Sequence, residues 1–162
     1  MSTAGPVKRV TLWVRDAEKS LRVYRDALGL AVLEDKELAG SAIGRMVGLD
    51  EASLRIVHLG YPGSTHGWVG LYEIRHSKPR QVSSLPAPGG FPRYGQATVV
   101  ITTDRMQEVV GKLRDLKVVF LTEPTEYIKT TPGDATPPGR YSEAIFFDPD
   151  DIPVSLIGYA AL

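Results

Sequence analysis

The fold of this chain is decided by residues 9–30, which read RVTLWVRDAEKSLRVYRDALGL. Apolar and other side chains alternate from Val10 to Val14, and this period of two predicts a β-strand with two different faces. Asp16 is placed to cap a helix whose apolar residues recur every three or four positions. Gly29 is placed to end that helix. The stretch therefore predicts a strand followed by an amphipathic helix.

The same order of signals recurs in the second half of the chain. Residues 96–103 again alternate, and Thr103 or Asp104 is placed to cap a second helix. About three strand-like runs follow each of the two helices. A strand, a helix and then strands, twice over, indicate an internal duplication. Because the helices are expected on one face of mostly antiparallel sheets, the predicted fold class is α+β, built from two βαβββ modules.

A proline- and glycine-rich stretch separates the two repeats. Residues 77–94 interrupt any periodic pattern and are predicted to form a linker or surface loop. We therefore place the first βαβββ module at residues 1–76 and the second at residues 95–162, within one domain in total. A similar run, TTPGDATPPG at residues 130–139, is typical of a mobile flap.

Composition narrows the class of protein. The 162 residues include 19 basic and 19 acidic side chains, so the formal net charge of zero argues against a nucleic-acid binder. There is no cysteine, which excludes disulfides, thiolate nucleophiles and thiolate metal sites. No apolar run reaches the roughly 18 residues that a membrane span needs, and no signal-peptide pattern is present. These features predict a cytoplasmic protein with neither nucleic acid nor membrane as a partner.

Three motifs occur in order along the chain: RVTLWVRD at residues 9–16, SLRVY with LGL within residues 20–30, and FDPDDIPVSL at residues 147–156. They resemble the first strand with its capping aspartate, the helix ending in Leu-Gly, and the final turn and strand of the vicinal oxygen chelate superfamily. That family includes glyoxalase I, extradiol dioxygenases, methylmalonyl-CoA epimerase and the bleomycin-resistance proteins. The resemblance implies two βαβββ modules that curl into an open barrel around a ligand cavity, and a homodimer.

Enzymes of that family hold a divalent metal through four inward-pointing ligands, one each from the first and fourth strand of each module. The matching positions here are Arg9, Glu73, Thr98 and Ser155, with Ala97 or Gln96 as alternatives to Thr98. Arginine has no lone pair for a metal, and its charge opposes a cation in a cavity of low dielectric constant. Glu73 is then the one plausible ligand that remains. The resemblance therefore predicts a degenerate metal site and no cofactor, with a divalent metal disfavoured.

The cavity is expected to bind a small ligand between largely apolar walls. Arg9 is expected either to pair with Glu73, to bind an anionic group of the ligand, or to extend into solvent from the strand end. Trp13 suits stacking on a planar ligand, with simple filling of the barrel as the alternative. The expected lining residues are Arg9, Thr11, Trp13, Leu71, Gln96, Thr98, Val100 and Ser155.

Two functions fit this pattern. The first is a small-molecule-binding protein of the bleomycin-resistance type that sequesters an apolar or aromatic ligand, which the loss of metal ligands favours. The alternative is a lyase, isomerase or dioxygenase-like enzyme acting on a small carbonyl or aromatic substrate. Its general base would be Glu73, with His58 as a second catalytic candidate. For His58, a hydrogen-bonded structural role is the competing interpretation.

Overall fold

A computed structural model of the chain describes residues 4–75, 95–131 and 136–162. The chain divides into two compact units, Met1–Ser83 and Ser84–Leu162. The predicted linker at residues 77–94 lies outside the described residues, as do residues 132–135 of the predicted flap. No helix among the described residues is long and apolar enough to span a membrane.

The first unit is a four-stranded mixed sheet with helices. Its strands are β1 (Arg9–Trp13), β2 (Ala31–Gly40), β3 (Ala52–Gly60) and β4 (Trp68–Arg75), arranged in the order β1-β4-β3-β2. β1 runs parallel to β4, and the other pairs are antiparallel. Its helices are α1 (Ala17–Leu21), which continues as a π-helical segment (Arg22–Ala27), and α2 (Ser41–Met46).

The first helix begins and ends where the sequence predicts. The side chain of Asp16 accepts a hydrogen bond from the Lys19 backbone N–H, which confirms it as the N-cap. The helix widens in its second half, where the Leu28 N–H donates to the Val23 carbonyl at 2.9 Å, as a π-helix requires. Gly29 then adopts φ 78°, a left-handed conformation that ends the helix at little steric cost.

The core of the first unit lies between the first helix and one face of the sheet. Leu12 of β1 is in register with Leu71 of β4, and both are buried. Leu21 and Tyr24 of the helical segment are also fully buried. Since these side chains share one side of the sheet, the opposite face of the sheet does not pack against the first helix.

The second unit repeats this plan. Its elements are β5 (Val99–Thr103), α3 (Met106–Asp115), β6 (Val119–Lys129), β7 (Gly139–Phe147) and β8 (Pro153–Ala160), with strand order β5-β8-β7-β6. β5 is parallel to β8, and the remaining pairs are antiparallel. The α+β class and the two repeats are confirmed, each sheet being curved and not closed into a barrel.

Two local details of the second unit differ from expectation. Asp104 does not cap α3: the N-cap residue is Arg105, without a side-chain cap, and the Thr103 hydroxyl accepts the Arg105 N–H at 3.0 Å. The sequence shows two strand-like runs, residues 118–121 and 127–129, which the structure joins into one strand, β6, whose register with β7 shifts twice between Phe120 and Thr125. The bulges explain the interrupted alternation, because a bulge shifts side chains from one face to the other.

Candidate functional site

One face of the first sheet is turned away from the first helix, and we call it the open face. The register pairs Thr11 with Gly70 across β1 and β4, and His58 with Gly70 across β3 and β4. Residues directly opposite one another in a sheet point to the same side. The side chains of the open face include Arg9, Thr11, Trp13, His58, Trp68 and Tyr72, and by the same register Glu34, Lys36, Leu54, Ile56 and Ile74.

Gly70 forms the floor of the open face. A Cβ atom at this position would lie 3.0 Å from Tyr72 Cε1, 3.3 Å from Arg9 Cδ and 3.5 Å from His58 Cδ2. The first two distances are tighter than ordinary van der Waals contact, so a side chain here would push its neighbours away. The side chains of Arg9, Tyr72 and His58 therefore all approach Gly70, which has no side chain of its own.

Arg9 lies on this face without an acidic partner in the part of the chain that the structure describes. Its Nε donates to Thr11 Oγ1 at 3.3 Å, and its Cζ lies 5.6 Å from the centre of the Tyr72 ring. Among the described residues, no carboxylate approaches the Arg9 guanidinium within ion-pair distance. Several acids of this unit pair with other cations: Glu18 and Asp35 with Arg55, Glu37 and Glu73 with Arg75, and Glu34 with Lys36.

Aromatic rings share the open face with the guanidinium. The Trp13 ring meets Tyr72 edge to face, with centroids 5.5 Å apart, and 49% of Trp13 is exposed. Trp68 lies 5.7 Å from the His58 ring, and the ammonium of Lys8 sits 3.8 Å from the Trp68 ring centre. Both tryptophans of the chain are on this face. The open face is therefore an aromatic surface that carries positive charge.

His58 is buried beneath these rings, with only 6% of its surface exposed. Its Nε2 lies 3.3 Å from the Tyr72 hydroxyl. Its Nδ1 lies 2.9 Å from Glu34 Oε2, but the approach is outside hydrogen-bond geometry, and Nδ1 has no hydrogen-bond partner among the described residues. Burial, and after it the charge of Arg9, lower the pKa of His58, and Glu34 opposes them. The imidazole is therefore neutral at pH 7.

Glu73 and Leu71 lie on the opposite face of β4, so the expectation that Glu73 faces Arg9 is wrong. Glu73 Oε2 accepts the backbone N–H of Ala17 at 3.0 Å, and Oε1 accepts from Arg75 Nη1 at 2.7 Å. Leu71, expected to line the cavity, is 0% exposed in the core. The cause is the pairing of β1 with β4, which the sequence does not reveal and which decides the face of every β4 side chain.

We expect Glu73→Ala to destabilise the first unit and to leave any ligand bound on the open face undisturbed. The substitution removes the acceptor of the Ala17 N–H at the start of α1, which costs about 1–2 kcal/mol in the free energy of unfolding. Urea denaturation followed by circular dichroism measures this loss. Glu73→Gln keeps an acceptor and should recover part of it, whereas a tenfold loss of ligand affinity in either variant would contradict this placement.

The remaining predicted lining residues belong to the second unit. Val100 is exposed and is in register with the buried Ser155, on the face of the sheet turned away from α3. Ser155 Oγ donates to Glu143 Oε1 at 2.7 Å. Thr98 and Gln96 precede β5 and belong to no strand. The lining of a cavity by these residues stays a prediction.

Sequence reasoning missed Gly70, Tyr72 and Glu143. In β4 the signal was present, because the alternation in WVGLYEI places Trp68, Gly70 and Tyr72 on one face. For Glu143 the signal was incomplete: the strand-like pattern in the sequence covers only residues 144–147, whereas β7 begins five residues earlier, at Gly139.

Known proteins place the chain in a family. The family model for the Glyoxalase/Bleomycin resistance protein/Dioxygenase superfamily matches residues 7–156. The chain belongs to this superfamily. No curated protein matches it in sequence.

Among solved structures, a glyoxalase family protein from Bacillus cereus shares the superfamily fold at a TM-score of 0.74, with 16% identity and 99% of each chain covered. Glyoxalase I from Leishmania major gives a TM-score of 0.56 at 17% identity, covering 96% of this chain and 87% of that one. A superfamily member from Sphaerobacter thermophilus gives 0.54 at 20% identity, covering 97% and 99%. At these identities the likeness shows the fold.

The residues at the superfamily's metal-ligand positions do not fit a divalent cation. Arg9 offers no lone pair, and both oxygens of Glu73 are engaged on the other face of the first sheet. Ser155 offers only a neutral hydroxyl, which donates a hydrogen bond to Glu143. Within the described residues, no three His, Asp or Glu side chains come together in a way that could hold a metal ion. The structure thus gives no chemical step through a metal.

Proposed function

We propose that this superfamily member binds a small planar, apolar or aromatic ligand on the open face of its first sheet without a divalent metal. The observation that carries the proposal is Arg9, which stands at the metal-ligand position of β1 above Gly70 and has no carboxylate partner among the described residues. Around it, Trp13, Trp68 and Tyr72 supply the aromatic contacts that small-molecule sites use.

Binding is better supported than catalysis. Glu73, the expected general base, is held by Ala17 and Arg75 away from the open face. His58 is on the open face, but it is buried and its Nε2 is in contact with the Tyr72 hydroxyl. A general base must reach the proton that it removes, and neither group offers a free lone pair at the surface of this face.

The two tryptophans make the proposal testable, because both lie on the open face and their fluorescence responds to a ligand bound there. Titration with 2-naphthamide, a planar neutral probe, should quench the fluorescence saturably, with the same Kd in the presence and absence of a chelator. Trp13→Leu should weaken binding roughly 2- to 13-fold, corresponding to a stacking contribution of about 0.5–1.5 kcal/mol. Calorimetry gives the Kd of the variant independently of its fluorescence.

Tyr61→Leu is the matched control. Tyr61 is an exposed aromatic residue outside the strands, so its removal should leave the Kd of 2-naphthamide unchanged. The proposal fails if the probe does not quench saturably, or if stoichiometric Mn²⁺, Ni²⁺ or Zn²⁺ tightens binding by tenfold or more.

Two further expectations belong to the proposal. The absence of cysteine from the sequence favours the cytoplasm, and the resemblance implies a homodimer. Analytical ultracentrifugation of the purified chain decides the second point.

A further inference from the structure

We infer that the open face selects planar aromatic ligands that carry a carboxylate, with the carboxylate on Arg9 and the ring against Tyr72 and Trp13. The inference rests on the proposed function and adds to it the charge of the ligand. It follows from three observations: a guanidinium with no carboxylate partner within residues 4–75, 95–131 and 136–162, its distance from the aromatic rings, and the balance of charge on this face.

The guanidinium has hydrogen-bonding capacity to spare. Only its Nε is used, at 3.3 Å from Thr11 Oγ1, and its two terminal nitrogens have no hydrogen-bond partner among the described residues. Arginine donors form a planar fork whose geometry matches the two oxygens of a carboxylate. A neutral aromatic molecule would leave these donors to water, whereas a carboxylate would take up both of them.

The rings of Tyr72 and Trp13 lie next to the place where Arg9 would bind such a carboxylate. Tyr72 contacts both groups: its ring centre is 5.6 Å from Arg9 Cζ and 5.5 Å from the centre of Trp13. The empty position above Gly70 lies beside the first of these contacts. A ligand held at Arg9 by its carboxylate therefore extends its ring over Tyr72 towards the half-exposed face of Trp13. This span accommodates one or two fused rings.

The charges on this face favour an anion. Lys8 adds a second cation next to Trp68, 3.8 Å from its ring centre. The carboxylate of Glu34 is offset by Lys36, whose ammonium lies 2.8 Å away. Burial and, after it, the charge of Arg9 lower the pKa of His58, which disfavours a further cation on this face. A ligand carboxylate would then neutralise the positive charge of Arg9.

The test compares 2-naphthoate with 2-naphthamide, which share a ring system and differ in charge. Tryptophan quenching at low salt should show the carboxylate binding about tenfold more tightly or better, since a charge-assisted bidentate contact is stronger than a neutral one. Arg9→Met should abolish this preference, so that in this variant the Kd values of naphthoate and naphthamide agree within about twofold. Arg9→Lys keeps the charge without the fork and should retain part of the preference.

Arg22→Met is the control, because it makes the same change of charge at an exposed position of the first helix. It should preserve the preference for naphthoate. Equal affinity for both probes in the original protein, or a preference that survives Arg9→Met, would overturn the inference and leave the proposed function standing. Failure of both probes to bind would overturn the two together. Thermal melting of each variant identifies any that has lost its fold.

Discussion

Gly70→Val is expected to abolish ligand binding on the open face, with a loss of affinity of more than about 100-fold. A single Cβ at this position already approaches Tyr72 Cε1 to 3.0 Å and Arg9 Cδ to 3.3 Å. Two further methyl groups would displace both side chains and occupy the space above the sheet that a ligand needs. The φ angle of Gly70 is not in the left-handed region, so the substitution acts through space and not through backbone strain. Calorimetric titration with 2-naphthamide measures the effect.

Comparing substitutions of different size at Gly70 distinguishes a blocked binding site from a loss of the fold. Gly70→Ala should weaken binding by roughly tenfold, between the original protein and Gly70→Val, because Tyr72 and Arg9 end in flexible atoms that can move a little. Val69→Ile adds one methylene to the neighbouring residue on the buried side of β4. It should cost about 1–2 kcal/mol in stability and leave the Kd unchanged. A folded Gly70→Val protein that binds as tightly as the original would exclude the open face as the site.

The elements could be predicted because their signals are local. Asp16 and Gly29 delimit the first helix in the sequence and in the structure, through a side-chain hydrogen bond and a left-handed φ angle respectively. Each of these interactions joins residues within one turn of chain. The repeat of the same signals after residue 95 was enough to predict the class α+β and the two four-stranded units.

The site was harder to predict, because it depends on pairing between distant strands. The sequence of β1 correctly groups Arg9, Thr11 and Trp13 on one face. In β4 the two possible faces both contain apolar residues, so the pattern alone does not say which of them meets Arg9. Pairing of Thr11 with Gly70 excludes Glu73, and a shift by one residue would have included it.

The role of Gly70 also lies beyond sequence reasoning. A glycine inside a strand pattern indicates a bulge or a close approach of some other group, without naming the group. Here the approaching groups come from two strands besides its own, Arg9 from β1 and His58 from β3. Only the three-dimensional register brings together residues that are 61 and 12 positions from Gly70 along the chain.

Gly44→Ala is expected to be the most destabilising single methyl addition in the first unit, lowering the free energy of unfolding by about 2–3 kcal/mol. Gly44 lies in α2, where a Cβ would be 2.6 Å from Glu51 Cα, 2.7 Å from Glu51 N and 2.8 Å from Asp50 C. These are backbone atoms, which cannot move aside as a flexible side chain can. The Gly44 carbonyl also accepts the Val47 and Leu49 N–H groups, each at 2.9 Å, which holds the following turn against the helix.

Gly111→Ala makes the same chemical change with the opposite expected sign. Gly111 lies inside α3, and a Cβ there would have no atom within 4 Å. Alanine restricts the unfolded chain and favours the helix, so this variant should gain about 0.5–1 kcal/mol. Urea denaturation of both variants measures the two changes. A gain in both would mean that helix propensity outweighs the close approach at Gly44, and a loss in both would mean that α3 packs more tightly around Gly111 than the structure shows. Opposite signs would support the close approach of the Asp50 and Glu51 backbone to α2.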